Sequence, residues 1–186
     1  MKKGYSLVEI LVVAGLLALV VGLVLSMSNT SNLSWDTHNI QLELQQKARF
    51  GIEKMVEELY QVSSSNITVA GNITTFKIPV IVPPDTDIYN DTTGDVTWGA
   101  EGNVSRSIRY RNVSNQLVRE IINDATSVVM STQVCANNVT AMVLVPTPSS
   151  FPETLNINIT CSKPLRPGAG ATNITTNLES QVTFRN

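Results

Sequence analysis

Leu7-Val8-Glu9-Ile10-Leu11-Val12-Val13-Ala14-Gly15-Leu16-Leu17-Ala18-Leu19-Val20-Val21-Gly22-Leu23-Val24-Leu25-Ser26-Met27 carries a single charge, Glu9, and no ionisable side chain follows it until Asp36. As a helix this stretch is roughly 30 Å long, which matches the hydrocarbon thickness of a bilayer. From Leu11 to Leu25 it is apolar or glycine on every side, so lipid or other helices must surround it. A carboxylate carried into that environment costs on the order of 3 kcal/mol unless a partner meets it.

A short basic leader, Met1-Lys2-Lys3-Gly4, precedes the apolar run. A secretory signal is cut at small residues after its apolar region, whereas the small residue at a plausible cut site, Gly4, comes before it. Cleavage after Gly4 keeps the helix in the mature protein and places a new amino terminus on Tyr5, one helical turn from Glu9. In a packed array a neighbour's ammonium then reaches the carboxylate. Lys2 and Lys3 are the only basic residues near either end of the helix, the next being Lys47. The amino end is therefore expected in the cytoplasm and everything beyond about Trp35 outside. An ordinary signal anchor with a chance glutamate is the competing reading.

Lys3-Gly4-Tyr5-Ser6-Leu7-Val8-Glu9-Ile10-Leu11-Val12 resembles the processing site of bacterial type IV prepilins and of the pseudopilins of type II secretion. The resemblance implies a dedicated prepilin peptidase that cuts between Gly4 and Tyr5 and methylates the new terminus. It also implies that Glu9 neutralises the terminus of an adjoining subunit during filament assembly. Tyr5 stands where Phe is commoner. Many major pilins carry a proline midway along this helix; here the first proline is Pro79, which points to a continuous helix and a minor subunit.

About 150 residues remain beyond the membrane segment, a usual size for one domain with one core. The expected organisation is a leader over 1–4, a transmembrane and assembly helix over 5–35, and an extracytoplasmic globular domain over 36–186. That domain includes the second half of the helix, to about residue 62. With 13 basic and 15 acidic residues, net charge -2, nothing attracts nucleic acid electrostatically.

Leu44, Ala48, Ile52, Met55, Leu59 and Val62 alternate at spacings of four and three and predict one buried stripe of the continuing helix. Glu43 with Lys47 and Arg49 with Glu53 stand four apart on its remaining surface. Ser63-Ser64-Ser65-Asn66 ends it. Ser28 to Ser34 has poor helix propensity, so one long helix with a weak middle is expected. His38, the sole histidine, reads as a solvated or interface residue.

Phe76, Ile78, Val80 and Val82 alternate with Lys77, Pro79 and Ile81 and predict an edge strand. Ile108 to Arg111 and Leu117 to Ile122, joined by Asn112 to Asn115, read as a hairpin. Met142 to Val145 is a further apolar run, and Leu155, Ile157, Ile159 and Cys161 alternate with Asn156, Asn158 and Thr160. Leu178, Val182 and Phe184 give the last inward face. A long helix followed by five or six antiparallel strands is an α+β fold, a roll with the helix in the sheet's concavity. That order resembles the pilin superfamily. More narrowly, Gln46 to Leu59, the hairpin, Asn138-Val139-Thr140 and Val182 to Asn186 resemble J-type minor pseudopilins and W-type minor pilins.

Cys135 and Cys161 lie in the half expected to face an oxidising compartment, which favours a disulfide over two buried thiols. Asp85, Asp87, Asn90, Asp91 and Asp95 crowd one loop; it is read as a solvated acidic loop, with calcium as the alternative ligand reading. Asn-x-Ser/Thr triplets begin at Asn29, Asn32, Asn66, Asn72, Asn90, Asn103, Asn112, Asn138, Asn158 and Asn173. Composition alone would give roughly three, so either the outer face is glycosylated or short polar residues dominate it. Asn103 alone has an acid two residues before it, Glu101, as bacterial glycosylation usually prefers. One histidine and two cysteines without a nearby base offer no catalytic arrangement, so no enzyme is expected.

The expected function is a minor pilin or pseudopilin of the cytoplasmic membrane. Its expected partners are other pilin-like subunits, the prepilin peptidase, the inner-membrane assembly platform and the bilayer. An adhesin or receptor module at a pilus tip and a membrane-anchored envelope protein that never polymerises are the alternatives.

Overall fold

The computed structural model describes residues 7–83, 85–147, 153–165 and 172–184. They divide into two units, Met1–Ile40 and Gln41–Asn186. The first unit is helical, and every described residue to Asp36 is exposed. The second carries the rest of the helix and every strand.

Helix α1 spans Leu7–Leu59, so the polar run of Ser28 to Ser34 does not interrupt it. Hydroxyls there bond back along the helix, Thr30 Oγ1 to the Ser26 carbonyl at 3.0 Å and Thr37 Oγ1 to that of Leu33 at 2.8 Å. Such bonds satisfy side chains that would otherwise favour turns.

In the second unit the predicted stripe is the buried one: Leu44, Ala48, Ile52, Met55, Leu59 and Val62 all face the core. Gly51 joins them. A Cβ at Gly51 would lie 3.0 Å from Leu117 Cδ2 and 3.1 Å from Ala136 Cβ, so the missing side chain lets helix and strands approach closely.

The strands are β1 (Ile67–Ala70), β2 (Ile73–Phe76), β3 (Ile78–Pro79), β4 (Trp98–Gly99), β5 (Arg106–Val113), β6 (Gln116–Asn123), β7 (Val129–Asn137), β8 (Val139–Thr147), β9 (Thr154–Pro164) and β10 (Asn173–Thr183). Instead of one sheet they form three, all antiparallel: β1-β2-β5-β6-β7, β10-β9-β8, and the ribbon β3-β4. The α+β class holds, whereas the single sheet of five or six strands is corrected. The edge strand expected over Phe76 to Val82 is divided at Lys77. Phe76 pairs with Ile108 in the large sheet, and Ile78 with Gly99 in the ribbon.

The predicted hairpin is β5–β6, closed by Ser114 and Asn115 at φ 51° and 60°. Two positive φ values make the turn whose twist suits antiparallel strands.

One node fastens the helix to the large sheet. Tyr110 and Arg119 are directly opposite in the β5–β6 register, so their side chains leave the same face. Tyr110 Oη donates to Glu58 Oε2 at 2.8 Å, and Arg119 Nε donates to Glu58 Oε1 at 2.8 Å. Burial, followed by the Glu58 carboxylate, pushes the Tyr110 phenol far up and keeps it a donor. Phe76 stacks on Tyr110 with centroids 6.1 Å apart. A second pair ties the helix to β9: Glu43 accepts from Lys163 and Lys47, both at 2.6 Å. These hydrogen bonds hold its carboxyl at about 2.

On the opposite face of the large sheet Glu120 is buried under Arg109 and Arg111. Burial raises its carboxyl, and the two guanidinium groups outweigh that and bring it below the ordinary value.

Arg119→Met is expected to lower stability by about 3 kcal/mol, because it strands a largely buried carboxylate. Thr74 Oγ1 is buried without a partner among the described residues, so Thr74→Val, of similar shape, should be neutral or stabilising. Urea unfolding of both variants in non-ionic detergent, followed by tryptophan fluorescence, checks the pair.

Candidate functional site

Glu9 stands in the first turn of α1, its side chain exposed. With Ile10, Val13 and Ala14 it lines a shallow groove on the helix surface. A group reaching the carboxylate therefore meets apolar surroundings, where an opposite charge interacts far more strongly than in water. From Leu7 to Met27 the large apolar side chains are 47% to 78% exposed. Among the described residues this is the one helix long and apolar enough to cross a membrane. Gly4 and Tyr5, the expected processing site, lie outside the described residues.

Cys135 on β7 and Cys161 on β9 are both buried and both free, so the structure does not form the bridge favoured on compartment grounds. Burial pushes both thiols up and keeps them protonated.

In the loop that carries Asp85, Asp87, Asn90, Asp91 and Asp95, the first three spend side-chain oxygens on the loop's own N–H groups. Asp85 Oδ1 accepts from the Asp91 N–H at 3.4 Å, Asp87 Oδ1 from Tyr89 at 2.8 Å, and Asn90 Oδ1 from Thr92 and Thr93 at 3.0 Å each. Among the described residues no three His, Cys, Asp or Glu side chains are gathered to hold a metal ion.

No sequon asparagine is buried. Several sequons follow from strand geometry: Asn158 and Thr160 flank the buried Ile159, and Asn173 and Thr175 flank Ile174, each on one face of a strand. A period of two places Asn and Thr together on the wet side around an inward aliphatic. Asn158 Nδ2 donates to Glu179, and Asn112 Nδ2 to the Val139 carbonyl. Asn103 differs in sitting exposed in a turn, its Oδ1 accepting from the Ser105 N–H at 2.9 Å.

Two features had only weak signals in the sequence. Glu58 lies three residues after Met55 and one before Leu59, at the margin of the buried stripe, which was the sign that its carboxylate needs a partner. A cleft of about 570 Å³ opens beside the helix end, lined by Tyr60, Gln61, Val62, Ser63, Pro79, Ile88 and Trp98. No periodicity brings those residues together.

Comparison with family models, with curated proteins and with solved structures gives no match.

Maleimide should label two thiols per chain when the non-reduced protein is unfolded, and few or none while it is folded. Intact mass before and after urea reads both numbers; an unlabelled unfolded protein would restore the disulfide.

Proposed function

We propose that this chain is a minor pilin or pseudopilin, anchored in the cytoplasmic membrane by α1 and drawn from it into a pilus-like filament or its initiating complex. The observation that carries the reading is the Leu7–Met27 surface, apolar around its circumference and bearing one carboxylate at Glu9. An anchor alone needs no charge there. A subunit that must enter a bundle of identical or similar helices in one register gains from one, because an unpaired acid in oil is costly and a paired one is tolerated.

In this reading the prepilin peptidase removes residues 1–4, and the Tyr5 ammonium of one subunit meets Glu9 of the next. The assembly platform moves the helix from lipid into the filament core, exchanging lipid contacts for helix contacts at little hydrophobic cost. The second unit carries no catalytic step. Its sheets and the Glu58–Tyr110–Arg119 node provide a rigid body for display outside the membrane.

Glu9→Ala should reduce co-purification of pilin-like partners from detergent-solubilised membranes at least tenfold while leaving the chain membrane-bound. Mass spectrometry of the mature wild-type protein should find a methylated terminus at Tyr5. Undiminished co-purification, or a terminus still at Met1, counts against the reading.

A further inference from the structure

The cleft beside the end of α1 has two walls. One is the chain leaving the helix, held by Tyr60 N–H to the Val56 carbonyl at 2.9 Å and Gln61 N–H to that of Glu58 at 3.1 Å. The other is the β3–β4 ribbon, where Pro79 and Trp98 are register partners. Ile88 is fixed against the ribbon by its carbonyl, which accepts from the Thr97 N–H at 2.7 Å. Tyr60 is 56% exposed although it borders a concave surface. An exposed tyrosine and a half-buried tryptophan thus share one opening with proline and isoleucine.

The loop that supplies Ile88 is acidic, with Asp87 next to Ile88 in the chain. Between Lys77 and Arg106 the sequence holds Asp85, Asp87, Asp91, Asp95 and Glu101 and no basic residue. Lys77 is engaged by Asp124 at 2.7 Å and by the Val104 carbonyl, and Arg106 faces Glu101 at 3.6 Å. The last turn of α1 contains no basic residue, although the negative end of a helix dipole favours one. Glu57 there is exposed.

We infer that this cleft seats an arginine or lysine side chain presented by a partner protein chain. Aromatic faces attract a cation through their quadrupole while the apolar walls cover its methylene stem. The aspartates of the 85–95 loop, in no ion pair among the described residues, steer a basic segment toward the opening and disfavour an acidic one. Arginine fits best, because its planar guanidinium stacks on an aromatic ring and still donates laterally. The inference stands apart from the filament reading, since a non-polymerising anchor could use the same cleft.

The test uses the full chain in non-ionic maltoside micelles, in a Trp35→Phe background that leaves Trp98 as the only tryptophan. Acetyl-tetra-arginine-amide is expected to change its fluorescence saturably, whereas tetra-glutamate and choline at the same concentration do not. Tyr60→Ala should weaken the peptide at least tenfold and Tyr60→Phe less than twofold. The double variant Asp87→Asn, Asp91→Asn, which leaves the aromatic walls untouched, should also weaken it, as should moving from ~0.05 to ~0.5 M salt. The inference is overturned by any of three results: no saturable response to tetra-arginine, wild-type affinity retained in both Tyr60→Ala and the aspartate double variant, or tighter binding of choline than of the peptide.

Discussion

Bare apolar surface governs this protein. Each leucine, isoleucine or valine of Leu7–Met27 left in water would cost about 1.5 to 3 kcal/mol relative to burial, and within the first unit these residues remain exposed. Lipid or other helices must therefore cover them. Glu9 turns that general demand into a specific one, because it is the single position on the segment where oil is the wrong neighbour. The remainder of α1 follows a different rule, with one stripe buried and the rest wet, and the same continuous hydrogen-bond ladder serves both.

In the second unit the buried stripe is joined to the sheets by charges placed at its margins. Glu58 and Glu43 hold the helix to β5, β6 and β9 through Tyr110, Arg119 and Lys163. Removing one partner from the largely buried Glu58 set costs more than the set itself contributes, because the remaining charge stays out of water. The node therefore fixes the position of the helix on the large sheet more than it adds to net stability. It also leaves the helix exit, Tyr60 to Ser63, in a set position against the β3–β4 ribbon, which gives the aromatic cleft its walls.

Much of this was legible in the residues. The stripe from Leu44 to Val62 followed from spacing alone, because a helix face is a local property. The β5–β6 hairpin and strand β9 were equally plain, since alternation and a two-residue turn are local too. Strand β7 was not: seven of its nine residues are exposed, Val129 to Val134 without a break, so that stretch carries no inward and outward rhythm to read. Strands β1 and β2 are four residues each, too short for a pattern, and their turn is set by Gly71 at φ 60°. The division into separate sheets depends on pairings between distant segments, which periodicity does not encode. For the same reason the cleft went unseen. Glu9 stood out in the sequence because an isolated acid in an apolar run is a local feature.

The most direct test is zero-length carbodiimide coupling in native membranes, which joins an amine to a carboxylate only where the two touch. The account predicts a cross-linked peptide uniting the amino terminus at Tyr5 of one chain with Glu9 of another, absent after Glu9→Gln. Recovery of the Glu9 peptide uncoupled from assembled material, or coupled only to a lysine, would contradict it.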